Sequence, residues 1–398
     1  MNRFTGYYLA PMAELSHRAL RELIEGFFAV PPSPSAGPGT VNDGERYRPV
    51  YYTEMISAPG LLARGPFEKW YLDSGPCAQR LVYQLVGADG DQLAAAAALL
   101  DRRDCLGIDI NMGCAAPAIT RTGAGIRWME NQDRAGRLIR TLRRITTKRL
   151  SVKIRLGPKI NGGRDRNPRR FPAEEAGTPA VNGPGELPLW EPLLRFCRRL
   201  EEEGADLIAL HPRTGEEKFK RRARWDYVER LRGELRIPVA GNGDIASAEE
   251  MARKAAAGPV MAGRLAVRRP WVFAQAAGLA EPPGPGPEGF RVEPPGDGAF
   301  ESPPFTGGAD PREETALRFL ELLARHQPPE FHLSRARRFF HYYCDNFTWA
   351  EFLRNQLNRE ETLAGMGRII SGHCRSVEGP GPGLPVPPAA AMDGGEGL

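Results

Sequence analysis

Nothing in the 398 residues is long and apolar enough to span a bilayer; the most extended apolar run, Leu93 to Leu100, is mostly alanine. No basic leader with an apolar core opens the chain, since Glu14 and His17 follow directly on a short apolar stretch. A cytoplasmic protein with no membrane partner is expected. Cysteine is scarce: six residues, at 77, 105, 114, 197, 344 and 374, form no C-x-x-C pair and no metal-ligand spacing with the six histidines. That excludes a disulfide framework or a zinc ribbon and predicts free thiols in a reducing compartment, with no metal site. Charge of neither sign dominates, because 54 Lys and Arg stand against 49 Asp and Glu, a net of +5. Such a balance permits an anionic partner without demanding one. With 41% hydrophobic residues, the chain is long enough for one large domain and a smaller one, and a monomer is expected.

What is present is a regular alternation. Apolar β-type runs occur at Tyr7 to Ala10, Val50 to Thr53, Leu81 to Val86, Leu106 to Ile110, Ser151 to Leu156, Leu207 to Leu210, Ile237 to Ala240 and Pro259 to Ala262. Between them lie helical spacings at Ser16 to Phe28 with Ser as N-cap, a short Pro66 to Asp73, Asp89 to Arg102, Asp133 to Thr146, Pro188 to Glu203, Trp225 to Leu231 and Ser247 to Ala256. Eight such units predict an α/β fold, a (β/α)8 TIM barrel, with a doubly wound sheet as the alternative.

Stretches rich in Pro, Gly and polar residues interrupt this pattern near 31–49 and 159–185, and are expected to be loops or mobile. A third, 279–311, reads as a linker that ends the barrel of residues 1–278. Beyond it, residues 312–378 return to helical spacing, with Leu317, Leu320, Leu323, Phe339, Phe340 and Tyr343 in phase, and the Gly/Pro/Ala-rich 379–398 is expected to be disordered.

In a parallel barrel the loops at the carboxyl ends of the strands converge, so chemistry gathers there. The polar residues at those ends are Pro11 and Met12 with the first strand, Glu54 with the second, Gln84 on the third, Asn111 and Cys114 after the fourth, and Lys153 and Arg155 on the fifth. His211 and Arg213 follow the sixth, Asn242 and Asp244 the seventh, and Gly263 and Arg264 the eighth. The Asn111-Met112-Gly113 step is expected to break the fourth strand, placing Cys114 in a loop with Gly123 and Gly125 where a backbone or a ligand approaches closely. From that segment alone a packed thiol reads the same as a reactive one. Gly241-Asn242-Gly243-Asp244 and Gly263-Arg264 sit where such barrels bind phosphate, although a plain turn also explains the first. Lys153, mid-strand and inward, needs an anion or a polar cofactor; a flavin suits it, with Gln84 at the pyrimidine edge. His211 serves that ring, the substrate, or packing.

Taken together, L-A-P-M-A near the start, T-E-M-I-S-A at 53–58, Y-Q-L-V-G at 83–87, N-M-G-C at 111–114 with R-x-G-A-G after it, V-K-I-R-L-G at 152–157, H-P-R-T at 211–214, G-N-G-D-I at 241–245 and G-R at 263–264 resemble the tRNA-dihydrouridine synthases. The resemblance runs in family order from about residue 6 to 275. It implies an FMN-dependent barrel followed by a small helical domain that helps hold tRNA. It also implies FMN contacts from Pro11, Met12, Ala13, Gln84, Lys153, His211, Asn242, Gly243, Asp244, Gly263 and Arg264, with Cys114 as proton donor. Ala115 and Ala116 precede Pro117 where the family has Pro directly after the cysteine, and Pro212 follows His211 where Gly is commoner.

The implied reaction is reduction of a tRNA uracil, with NADPH or NADH reducing FMN and a thiol protonating C5; a thiol's ordinary pKa of about 8.5 leaves it protonated at neutral pH. The base has to leave the tRNA fold to be reached. Basic side chains expected to contact tRNA, or simply to be solvated, are Lys159, Arg164, Arg166, Arg169 and Arg170, then Lys218, Lys220, Arg221, Arg222 and Arg224, then Arg335, Arg337 and Arg338. Two alternatives stand beside this reading: an FMN barrel acting on a free pyrimidine, like dihydroorotate dehydrogenase, and a tRNA-binding protein without catalysis.

Overall fold

The computed structural model describes residues 6–28, 48–157, 187, 189–217, 219–278 and 310–377. The 159–185 insert, all but residues 48 and 49 of the 31–49 insert, most of the linker, Lys218 and the tail lie outside them.

The eight apolar runs pair in parallel, each with the next and the last with the first, into a closed barrel. The strands are β1 (Tyr7–Leu9), β2 (Val50–Ser57), β3 (Leu81–Val86), β4 (Gly107–Met112), β5 (Arg149–Ile154), β6 (Leu207–Leu210), β7 (Val239–Asn242) and β8 (Val260–Ala262). Because side chains alternate along a strand, each run feeds two cores. Tyr8, Ala10, Tyr52, Val82, Ala209, Ala240 and Met261 fill the barrel, while their neighbours Leu9, Leu81, Ile108, Val152, Ile208 and Val260 meet the outer helices.

Several of those helices begin where a side chain satisfies an otherwise orphaned N–H group. Asp89 caps Gly90–Asp101 by accepting from Gln92 N at 2.8 Å. Asn131 caps Gln132–Ile145 through Arg134 N at 2.9 Å, and Ser247 caps Ala248–Ala256 through Glu250 N at 3.1 Å. The expected Ser16 cap is not formed: helix Arg18–Gly26 starts after His17, and the Ser16 hydroxyl accepts instead from Met12 N at 2.9 Å. After β2 the expected single helix is two short ones, Ala58–Leu62 and Glu68–Tyr71.

Two further expectations are corrected. β4 does not break at Asn111 but runs to Met112, because Asn111 and Met112 still pair with Lys153 and Ile154. β2 continues past Thr53 to Ser57, carrying one extra residue between Tyr52 and Met55 relative to β3. That bulge turns Glu54 out of the alternation that would have aimed it inward.

The C-terminal helices Pro311–His326, Pro329–Tyr343, Ala350–Arg359 and Leu363–Val377 pack around stacked aromatics, with Phe319 and Phe339 centroids 3.6 Å apart and Phe339 and Tyr343 5.0 Å apart. Helix Pro311–His326 seats this group on Arg18–Gly26 of the barrel. Among the described residues no helix is long and apolar enough to cross a membrane.

Candidate active site

The alternation that fills the barrel also builds its mouth. Gln84 stands two residues beyond Val82, Asn111 beyond Asp109, Lys153 beyond Ser151, His211 beyond Ala209 and Asn242 beyond Ala240, so the first polar layer lies directly above the inner core. Strands β3, β4 and β5 join in one buried network. Gln84 Nε2 donates to Asp109 Oδ2 at 2.7 Å, Ser151 Oγ to Asp109 Oδ1 at 2.6 Å, and Asn111 Nδ2 to Gln84 Oε1 at 2.9 Å. Tyr52 adds its hydroxyl to Ser151 at 3.0 Å. Burial pushes the Asp109 carboxyl up to about 6, against the pull of those bonds and of Lys153. The Gln84 amide is thus largely committed to its neighbours, leaving one N–H.

Asn111 shapes the loop that carries the thiol. Its Oδ1 accepts from Gly113 N at 3.1 Å and Cys114 N at 2.9 Å, and Ile126 N returns to the Cys114 carbonyl at 3.0 Å. Gly125 allows that return: at φ +62°, a Cβ there would sit 2.4 Å from the Cys114 oxygen. The close approach expected at this glycine is made by the loop's own backbone. Cys114 is half-buried, whereas the other five cysteines are buried. Desolvation drives Cys77 and Cys344 up to about 12. Ala116 precedes a single helical turn, Pro117–Thr120, so the proline displaced by the two alanines still starts the turn.

Opposite the network the mouth is cationic. Lys153 Nζ donates to the neutral Asn242 Oδ1 at 3.0 Å, and Asn242 Nδ2 donates to Met261 O at 2.8 Å. Burial first, then Arg155, brings Lys153 down to about 8, while Asp109 and Cys114 oppose the shift. Arg155 is also lowered by burial and by Arg213. Arg213 binds Asp244 through Nη2 at 2.7 and 2.5 Å, and its Nη1 lies 2.8 Å from His211 Nε2. A guanidinium only donates, so Nε2 accepts and the proton of the neutral ring resides on Nδ1. Burial, with Lys153, Arg155, Arg213 and Arg264 around it, holds His211 far below the usual imidazole range. Asp244 also takes Ala223 N at 2.7 Å and Arg264 Nη2 at 3.4 Å, so its carboxylate is engaged within the protein. Gly243 at φ +112° lets the turn pass the His211 ring, which a Cβ would approach to 2.8 Å. Gly263 lies beside Met12, whose Sδ stands 3.4 Å from where its Cβ would be.

The structure therefore brings Met12, Gln84, Cys114, Lys153, His211, Asn242, Gly243, Asp244, Gly263 and Arg264 to one end of the barrel; Pro11 is half-buried and Ala13 exposed in the loop after β1. Glu54 is not part of this mouth, since it is buried against Arg335 at 2.9 Å. Arg335 is consequently no surface contact for RNA. Arg337 donates to Glu360 O at 3.0 Å and Arg224 pairs with Glu217 at 2.6 Å, which leaves Lys220, Arg221, Arg222 and Arg338 exposed among the described residues of the basic set; Lys159, Arg164, Arg166, Arg169, Arg170 and Lys218 lie outside the described residues. The sequence reading missed Asp109, Ser151 and Tyr52, whose signal was a polar side chain in register on three buried strands. It also missed Phe219, 62% exposed in the basic loop, with Arg264 5.0 Å and Arg155 5.8 Å from its ring.

This arrangement can hold an anionic ring system beside a half-buried thiol. The chain matches the dihydrouridine synthase (Dus) family over residues 8–165 and 190–370. It is 28% identical over 277 residues to a probable tRNA-dihydrouridine synthase of Rhizobium leguminosarum bv. phaseoli, covering 69% of this chain and 72% of that one. A probable tRNA-dihydrouridine synthase 1 of Synechocystis is 29% identical, covering 51% and 50%. A tRNA-dihydrouridine(47) synthase [NAD(P)(+)]-like protein of Rattus norvegicus is 28% identical, covering 56% of this chain and 31% of its own. With its closed parallel barrel, half-exposed cysteine and cationic rim, the chain belongs to the dihydrouridine synthase family.

Proposed function

We propose that this protein reduces specific uridines of tRNA to 5,6-dihydrouridine, with FMN as cofactor and NADPH or NADH as reductant. The observation that carries the reading is the charge at the mouth. Lys153, Arg155, Arg213, Arg264 and Arg224 face Asp109, Asp244 and Glu217, and the Lys153 ammonium donates, among the described residues, to an amide oxygen. A half-buried ammonium against a neutral acceptor is unfavourable until an anion joins it. A flavin mononucleotide, carrying a phosphate and an electron-rich pyrimidine edge, fits that requirement. Lys153, His211, Gln84, Pro11, Met12 and Ala13 would hold its ring, and Asn242, Gly243, Asp244, Gly263 and Arg264 its phosphate side. When bound, FMN supplies the hydride chemistry that links a nicotinamide to a pyrimidine. The NAD(P)(+) in the name of the rat relative supports the nicotinamide donor.

The remaining work falls to the chain. Cys114 holds a proton on Sγ and delivers it to C5 of the uracil, and the Asn111 bonds to Gly113 and Cys114 N–H keep that sulfur at the mouth. Neutral His211, fixed by Arg213, offers a hydrogen bond without adding to the positive charge. The exposed Lys220, Arg221, Arg222 and Arg338 grip phosphates while the base is extruded, a step costing a few kcal/mol. The C-terminal helices supply the second half of that grip.

Mass analysis of tRNA from cells with and without the gene tests this. A uridine that is two hydrogens heavier only when the gene is present supports it. Identical tRNA in both strains, or a purified protein without flavin absorbance, refutes it.

A further inference from the structure

We propose that Glu54 and Arg335 are positioning residues through which the docked C-terminal helices set the shape of loop 11–14; this rests on the reading above that the loop holds FMN. The bulge in β2 turns Glu54 toward the seam between barrel and helices, where it is 4% exposed and Arg335 3%. Its two oxygens have different partners. Oε2 takes Arg335 Nη1 at 2.9 Å, and Oε1 takes the backbone N–H of Glu14 at 2.6 Å.

Glu14 closes the loop that carries Pro11, Met12 and Ala13, and it does so at φ +64°, a strained conformation for a non-glycine residue that persists only where the surroundings impose it. The bond to Glu54 is that imposition. Arg335 is itself held firmly, with its guanidinium 4.8 Å from the Phe331 ring and 5.7 Å from Tyr71, and Phe331 4.7 Å from Phe67. A pair that merely joined two parts of the protein would not need an oxygen on the loop. With Arg335 absent, the buried carboxylate takes up a proton or moves, and either change weakens its hold on Glu14.

The test is a titration of flavin-free protein with FMN, read by the loss of free-flavin fluorescence, beside thermal melting of each variant. Arg335→Met raises the FMN Kd about tenfold, and Arg335→Lys, which keeps one donor, restores it to within about threefold. Glu54→Gln raises it about threefold and decides the matter if Arg335→Met does not fold. His326→Leu cuts a different seam contact, 3.1 Å to Glu22, so it lowers Tm and leaves the Kd unchanged. An unchanged Kd in folded Arg335→Met or in Glu54→Gln overturns the proposal, as does an equal rise in His326→Leu. Failure of FMN to bind the native protein refutes the flavin reading instead. In that event amide hydrogen exchange over residues 12–16, faster in Arg335→Met than in His326→Leu, still decides the relay, and equal exchange rejects it.

Discussion

At the mouth of the barrel, Lys153 rests on the amide oxygen of Asn242 with Arg155 beside it; at the seam below the C-terminal helices, Arg335 rests on the carboxylate of Glu54 with two aromatic rings around it. Both cations are largely withdrawn from water, yet one rests on a neutral amide and feels Asp109 without pairing with it, while the other forms a direct ion pair. A region whose charges are matched is complete in the folded chain alone. A region with surplus charge is stable because the rest of the barrel holds it in place, and it gains stability when an anionic molecule arrives. That contrast separates architecture from function more cleanly than burial does.

The largest effect expected lies at the mouth. Cys114→Ala lowers turnover on native tRNA about 10²- to 10⁴-fold while leaving flavin content and Tm unchanged; full turnover would remove the thiol from the reaction. Next, cation deletions at the two regions have opposite consequences for the flavin-free protein. Arg335→Met leaves Glu54 buried and unpaired and costs about 3–5 kcal/mol in chemical denaturation, whereas Lys153→Met raises stability because it removes a cation from a surplus. The same Lys153→Met weakens FMN, by about tenfold to a hundredfold, through loss of a charge-assisted contact of about 1.5–3 kcal/mol. Two deletions that destabilise alike would dissolve the comparison.

A pH series sharpens it further. Folded Lys153 loses its proton near 8 while the unfolded chain keeps it to about 10.5. Between those values the unfolded state binds more protons, so the contribution of Lys153 to stability rises with pH across that window. Flavin-free native protein shows this rise in urea melts and Lys153→Met does not. The smallest effect belongs to the exposed loop: Arg222→Ala weakens tRNA binding and lowers the slope of log K against log salt by about 1, with no change in Tm.

Much of this was legible in the residues. The eight strands were readable because each is a short apolar run bounded by turn signals, and the mouth followed because His211 and Asn242 stand at the ends of such runs. Glu54 was misplaced at the mouth for a specific reason: alternation aims it inward, and one extra residue in β2 reverses it. Arg335 reads as a tRNA contact or a solvated charge because an arginine on a helix looks exposed until a partner 281 positions away is known. Asp109 escaped notice because its partners Gln84 and Ser151 lie on other strands.

By itself the order of residues determined the barrel, its polar rim and the thiol in the loop after β4, since periodicity and turn chemistry are local properties that a linear pattern carries. Which charges are matched and which are surplus was decided only by the tertiary structure. Pairing depends on distances between residues far apart along the chain, and a single bulge or a docked helix changes them without leaving a mark on local pattern.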